Sequence, residues 1–206
     1  MSIRIVAIIL SAFVVGAGGA LLLNSTSTGS AITSSGATKT TGKALIGGPF
    51  RMVSHKGEAV THKTLEGRHT LMFFGFTHCP DICPASLQVT SEALELLGDT
   101  AKDVQPVFVT VDPGRDTPEV LKSYLEDFDD RIIGLTGTEA QTNTIAKAYR
   151  IYHAKVADPN SEGGYTVDHS AYLYLMSPQG AYIKHFPPAV QAEELAAGLK
   201  AALRTS

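Results

Sequence analysis

The stretch HTLMFFGFTHCPDICPASLQVTSEALELLG, His69 to Gly98, restricts the possible folds more than any other part of the chain. Its first eight residues, His69 to Phe76, form an apolar, aromatic-rich run with the length of a buried strand. After a short cysteine-bearing segment, Leu87, Leu94 and Leu97 recur at helical spacing up to Gly98, which reads as a C-cap. Between strand and helix stand Cys79 and Cys83, the only cysteines among 206 residues. A chain of this length cannot be held by one cross-link, so its core has to come from apolar burial. The pair is read as chemistry, since inert core thiols need neither flanking prolines nor a helix start. It is a disulfide, a redox couple or two jaws of a metal clamp.

Proline breaks a helix interior, so Pro84 confines Cys83 and itself to the first helical turn. The thiols then lie at a helix N-terminus, where the dipole and free backbone N–H groups favour thiolate and lower a cysteine pKa below its usual value of about 8.5. A thiolate there is either a nucleophile or a ligand. Residues four apart on a helical turn share a face, with Cβ atoms roughly 5–6 Å apart, which suits one soft ion. The same two thiols could close a disulfide after a small adjustment. The spacing C-x-x-x-C, where redox pairs commonly have C-x-x-C, leans toward metal.

The remaining elements place this site in a fold. Val104 to Val111 reads as a second buried strand, and Thr117 and Pro118 open a helix as N-cap and first residue. RIIGL is a strand, and Thr138 with Gln141 forms a capping box for a helix through Ala148. RIYHAKVA, AYLYLM and AYIKHF read as strands, PQG as a turn, and Val190 to Arg204 as a closing helix. This alternation predicts an α/β thioredoxin-like fold with a central mixed sheet flanked by helices, in which the chemistry sits between the first long strand and its helix. VDPGRDTPE, with Asp112 and Asp116, is read as strand end, turn and helix cap. Acidic residues repel phosphate, and the calcium ligand count falls short.

Seven histidines could supply a further ligand. His55 and His62 lie in polar loop sequence, His69 precedes a strand, and His153 and His185 alternate with apolar residues on strands, directed at solvent or a hydrogen-bond partner. His78 adjoins Cys79, but adjacent side chains diverge. His169 stands out in YTVDHS, before the strand AYLYLM. In thioredoxin-like topology that loop carries a proline facing the cysteines, and here Asp168, His169 and Ser170 replace it. An imidazole there argues for a two-sulfur, one-nitrogen metal site of Cys79, Cys83 and His169.

The N-terminal part has a different character. Ile5 to Leu23 is a run of 19 residues without charge. As a helix it just covers a hydrocarbon core of roughly 30 Å. Arg4 precedes it and the next charge is Lys39, which puts the N-terminus in the cytoplasm and the rest outside. A cleaved signal peptide is the rival reading, but Leu21 to Leu23 extend the apolar core beyond an ordinary h-region. Residues 1–23 are therefore expected to be a transmembrane anchor in a bacterial inner membrane, with the remainder facing the periplasm. Residues 24–44, dominated by Ser, Thr, Gly and Ala, read as a flexible linker spanning roughly 25 Å. Residues 45–206 form the globular head. With a formal net charge of −3 and its 17 Lys and Arg scattered, the chain offers no electrostatic ground for binding nucleic acid.

FGFTHCPDICP, VTVDPGRDTPEVLKSYLEDF and DHSAYLYLMSPQG, in this order and spacing, together with IGGPF and the single anchor, resemble the Sco/SenC family of copper proteins. The resemblance covers Ile46 to about Arg204. It implies copper ligands at Cys79, Cys83 and His169, an acidic neighbour at Asp168, and assistance to CuA assembly in cytochrome c oxidase. Two thiolates and one imidazole suit Cu(I), and with an added oxygen ligand Cu(II), whereas structural zinc is usually closed by four donors. Three donors leave a side open for transfer. A disulfide cannot ligate, so loading in an oxidising periplasm needs a thiol reductant and a copper donor. The expected function is a copper metallochaperone for the CuA-containing oxidase subunit. The alternative is a thiol-disulfide reductase in which Cys79 and Cys83 keep that subunit's cysteines reduced, and a sensor or peroxidase-like scavenger ranks third.

Overall fold

The structure, a computed structural model, describes residues 45–205. The expected anchor and linker therefore lie outside the described residues. Among the described residues, no helix is long and apolar enough to cross a membrane.

Two fully buried strands form the centre of the molecule, β3 (His69–Gly75) and β4 (Val104–Thr110). They pair in parallel from His69 with Val104 to Gly75 with Thr110. Unbroken apolar sequence rather than alternation is what a strand covered on both faces requires. Each large side chain buried there, such as Met72, Phe74 or Phe108, contributes about 1.5–3 kcal/mol. The sheet grows outward through β5 (Ile133–Thr136), β1 (Arg51–Ser54) and β2 (Ala59–Thr61) on one side and β8 (Leu173–Met176) and β9 (Tyr182–Phe186) on the other. Its seven-stranded order is β2-β1-β5-β4-β3-β8-β9, with β3, β4 and β5 parallel and the other neighbours antiparallel. This is the mixed α/β architecture that the alternating periodicities predict.

Helix α1 (Ile82–Leu97) follows β3 and packs against α4 (Ala192–Leu203). Helix α2 (Pro118–Leu125) packs on β5, where Leu121 and Leu125 sit against Gly134. Helix α3 (Glu139–Tyr149) lies by β1. Their ends match the cap signals. The Thr117 hydroxyl accepts the Val120 N–H at 3.3 Å, and Thr138 and Gln141 form a reciprocal capping box. Gly98 ends α1 at φ 57°, a backbone region that costs glycine little.

Three strands escape the sequence patterns. β1 and β2 are only four and three residues long, too short for a period to emerge. The third, β7 (Tyr165–His169), pairs with β6 (His153–Ala157) in a separate two-stranded sheet. His169 thus ends a strand rather than lying in a loop. His69, expected only to precede a strand, opens β3 and is buried.

Candidate metal centre

The site forms where β3 ends against the start of α1. Gly75, the last residue of β3, leaves the space that the Cys83 sulfur fills, since a Cβ added there would lie 2.7 Å from it. Cys83 is the second residue of α1 and is fully buried. Pro84 follows it in the first turn, as helix stereochemistry requires. Cys79 lies three residues ahead of the helix, in a turn closed by its own N–H donating to the Phe76 carbonyl at 3.3 Å. The two thiols therefore meet across a loop-to-helix junction. They do not share a helical turn, which corrects the spacing argument while keeping both sulfurs together.

The helix end acts on Cys79. Asp81, the N-cap residue, makes no side-chain cap bond. The Cys79 sulfur accepts the Cys83 thiol proton first of all, and also the backbone N–H groups of Asp81 and Cys83. These donors bring the Cys79 pKa down to about 5, so it is a thiolate at neutral pH. The hydrogen bond to Cys79 and burial push the Cys83 thiol in the opposite direction. Both cysteines are free. For the reduced, metal-free chain we expect iodoacetamide to modify Cys79 selectively, with a rate that rises through about pH 5 and is level by neutrality, while Cys83 is protected. Peptide mass mapping across a pH series checks this, and first reaction at Cys83 would contradict it.

The third residue comes from the far end of the sequence. His169 Nε2 stands 3.9 Å from Cys83 Sγ. Its Nδ1 is 3.2 Å from the Val167 carbonyl, which can only accept, so Nδ1 carries the proton and Nε2 presents its lone pair. The Phe76 ring meets the imidazole edge-on at a centroid distance of 5.6 Å. Ser170 ties the end of the hairpin to Tyr152, donating its N–H to the Tyr152 carbonyl at 3.0 Å and accepting the Tyr152 N–H on its hydroxyl at 3.2 Å.

Sulfur and nitrogen ligands at about 2.3 and 2.0–2.1 Å from one ion lie roughly 3.5–3.8 Å apart, close to the observed separation. Among the described residues, no three His, Cys, Asp or Glu side chains already converge at metal-holding distance. Closing on an ion requires the Cys79–Cys83 hydrogen bond to give way. The donor set fits a soft ion, because a thiolate, a thiol that ionises on binding and an oriented imidazole supply two sulfurs and one nitrogen.

The other histidines occupy different surroundings. His78 bonds Thr77 at 3.0 Å and lies 3.2 Å from Glu162. His153 pairs with His169 across the hairpin and is held below the ordinary histidine pKa by burial and by His169. His185 bonds the Tyr182 hydroxyl at 2.6 Å, and His55 accepts the Gly134 N–H at 3.0 Å. Asp168, one step along β7 from His169, is exposed.

Gly75 and Asp116 are the residues that sequence patterns do not mark. Asp116 is fully buried and accepts bonds from the Thr77 N–H at 3.1 Å, the Thr77 hydroxyl at 2.6 Å and the Thr110 hydroxyl at 2.5 Å. Burial raises its pKa against the effect of these donors. Thr117 does cap α2, so the cap reading of VDPGRDTPE holds for that residue. Its two aspartates serve the interior instead.

The family model described as SCO1/SenC matches residues 38–204. A SCO2-like protein of Rickettsia prowazekii is 42% identical over 153 residues, covering 74% of this chain and 75% of that protein. The human mitochondrial SCO1 homolog is 37% identical over 165 residues, and the match covers 79% of this chain but 54% of that protein. Among solved structures, Bradyrhizobium japonicum ScoI with copper bound superposes with a TM-score of 0.71 at 45% identity, covering 76% of this chain and 99% of that one. Yeast Sco1 with copper bound gives a TM-score of 0.71 at 36% identity, covering 78% and 90%. A further neighbour, BsSco, is described through a disulfide switch and as a member of the Sco family of cytochrome c oxidase assembly proteins; it has 26% identity, a TM-score of 0.63, and coverage of 79% and 95%. With the match spanning the whole globular head, the chain belongs to the SCO1/SenC family.

Proposed function

We propose that the chain binds one copper ion through Cys79, Cys83 and His169 and delivers it to the CuA-containing subunit of cytochrome c oxidase during assembly. The observation that carries this reading is the imidazole of His169, oriented by Val167 with its free Nε2 facing the Cys83 sulfur at 3.9 Å. A histidine aimed at a thiol pair serves a metal better than it serves disulfide exchange. The copper-bound relatives support the identity of the ion. The uncharged run Ile5 to Leu23 supports an anchor in a bacterial inner membrane, with the head in the periplasm.

Three protein donors leave one side of the ion free, and an acceptor can enter there before the first ligands release. Cys79 is half-buried while Cys83 is enclosed. Release then proceeds from the Cys79 side inward.

The second reading, reduction of the oxidase subunit's cysteines, is favoured by the Cys79 thiolate beside the protonated Cys83. In that reaction Cys79 attacks one sulfur of the partner's disulfide, and Cys83 then displaces the partner. This chain, starting as one thiolate and one thiol, loses two electrons and one proton to become a disulfide, and the partner takes up the two electrons and that proton, with a second proton from solvent, to gain two thiols.

Incubating the copper-loaded chain with the reduced, metal-free CuA domain of its oxidase tests the first reading. We expect copper to leave this chain and the CuA absorption bands to appear in the acceptor. Reduction of an oxidised acceptor with no metal transferred to the reduced one would favour the reductase reading.

A further inference from the structure

The loop between β4 and α2 holds both halves of the candidate site, and its two aspartates face different ways. Asp116 takes the Thr77 hydroxyl and N–H, two residues before Cys79, and so fixes the cysteine turn. Asp112, also fully buried, takes the Arg115 guanidinium at 2.5 Å and the Tyr165 hydroxyl at 3.0 and 3.1 Å. Tyr165 begins β7, the strand that ends in His169.

Arg115 also grips β7 directly at Tyr165, together with the turn before it. Its Nη1 donates to the carbonyls of Glu162 at 2.6 Å and Tyr165 at 3.1 Å. Its guanidinium lies 3.9 Å from the centre of the Tyr165 ring and 5.8 Å from that of Phe76. Phe76 is in turn the ring against which His169 rests. Tyr165, Val167 and His169 share one face of β7 because strand side chains alternate with a period of two. A pin at Tyr165 therefore sets the face and register of a lever whose other end, roughly 13 Å away, carries the imidazole.

Among the described residues, β6 and β7 pair only with each other, outside the seven-stranded sheet. No ladder of main-chain hydrogen bonds joins the His169 strand to the strand that precedes the cysteines. The C-terminal end of β7 is tied to β3 through the chain, which runs on into β8 and its pairing of Leu173 with Phe73, while the side chains of the Asp112–Arg115 turn tie the N-terminal end. Arginine suits the task because its planar fork can bond a carboxylate and two carbonyls while stacking on a ring, which a lysine cannot do.

From this we infer that Arg115 is a positioning residue of the metal site, which acts through Tyr165 and Phe76 to hold His169 at the distance and angle needed to close on the ion with Cys79 and Cys83. The inference rests on the three-ligand reading above and adds to it the device that brings the two halves of the site into register. Lys155 reaches the same carboxylate at 3.8 Å and the Tyr165 ring at 4.9 Å, but its amine is shared with Glu139 at 3.4 Å and makes no bond to the hairpin backbone.

The test is a thermodynamic cycle on the full-length chain, measuring Cu(I) affinity by competition with a chelator for wild type, Arg115→Gln, His169→Ala and the double variant. Loss of a residue that orients a ligand typically costs 10–100-fold in affinity. We expect a loss of about that size for Arg115→Gln in the wild-type background and almost none in the His169→Ala background, because the arginine acts only through the histidine. In the metal-free chain, hydrogen exchange at Val167 and His169 should quicken in Arg115→Gln while that of β3 and β4 stays unchanged. Tyr165→Phe, which removes one hydroxyl and keeps the ring, should give a smaller loss with the same dependence on His169 and guards against a misfolded arginine variant. An equal loss for Arg115→Gln with and without His169, or wild-type affinity for both Arg115→Gln and Tyr165→Phe, overturns the positioning role. If His169→Ala alone binds Cu(I) as the wild type does, it is the three-ligand site that fails, and the two failures are told apart.

Discussion

His169→Ala is expected to weaken copper binding by at least about a hundredfold, more than the loss typical of a residue that merely orients a ligand, while leaving the thiol pair chemically intact. The physical basis is the separation of roles in the site. Cys79 owes its lowered pKa chiefly to the Cys83 thiol and to the backbone donors of Asp81 and Cys83, with His169 contributing least among these causes. Removing the imidazole therefore leaves a reactive thiolate and a buried thiol that can still form and break a disulfide. Dithiol titration should remain normal. Copper affinity and oxidase assembly should fall together, measured by competition titration and by CuA content in cells grown without added copper. Cys83→Ser should lose both properties, since it removes a sulfur donor and the principal hydrogen bond that stabilises the Cys79 thiolate. A His169→Ala variant that assembles CuA at the wild-type rate on ordinary copper would show that the histidine only shapes the hairpin and would favour the reductase reading.

The second large effect is expected at Gly75. A Cβ there would lie 2.7 Å from the Cys83 sulfur, 2.8 Å from the Phe108 ring and 3.2 Å from the Phe73 ring. Two of these neighbours are core aromatics packed between strands, so the sulfur is the group that must move. Overpacking of this kind costs about 1–3 kcal/mol, and Gly75→Ala should lower the melting temperature by several degrees. It should also draw Cys83 away from Cys79 and His169, weakening copper binding and raising the Cys79 pKa. Gly134→Ala is the control, because its Cβ would meet Leu125 at 2.7 Å and its nearest neighbours, Leu125 and Leu121, include neither thiol. It should cost comparable stability and leave copper affinity and the alkylation profile of Cys79 unchanged. Equal effects of the two substitutions on copper would mean that Gly75 matters only for stability.

Much of this molecule was legible in one dimension, for identifiable reasons. β3 and β4 could be read because strands buried on both faces must be continuously apolar, and β5, β8 and β9 could be placed by the turns and caps around them. The caps at Thr117 and Thr138 depend on side chains within three residues of the backbone groups they satisfy, so local sequence contains the whole interaction. Cys79, Cys83 and Pro84 likewise lie within one loop and one helical turn. His169 could be picked out because it replaces a residue type expected at that place in the topology.

Other features were not legible, and each involves partners far apart in the chain. The short strands β1 and β2 exist because β5 and each other complete their hydrogen bonds, not because three or four residues have a preference. β7 was hidden because it pairs with β6 and is only partly buried, so no apolar period marks it. Asp112 and Asp116 look like ordinary turn residues, and their burial follows from Thr77, Thr110, Arg115 and Tyr165 arriving from other elements.

Periodicity and cap signals were thus enough for most of the layout of strands and helices, and the cysteine segment together with the expected topology was enough to propose three donor residues, since these depend on side-chain type, on neighbours a few positions away and on the order of the elements. Only the folded chain decided that Cys79 sits ahead of the helix, that Gly75 makes room for the Cys83 sulfur, and that His169 turns Nε2 toward it. Those features are set by close packing and hydrogen bonding between distant segments, Cys83 and His169 being 86 residues apart. Distances of that kind leave no periodic trace in the sequence, because each is fixed by the whole fold rather than by any one stretch of it.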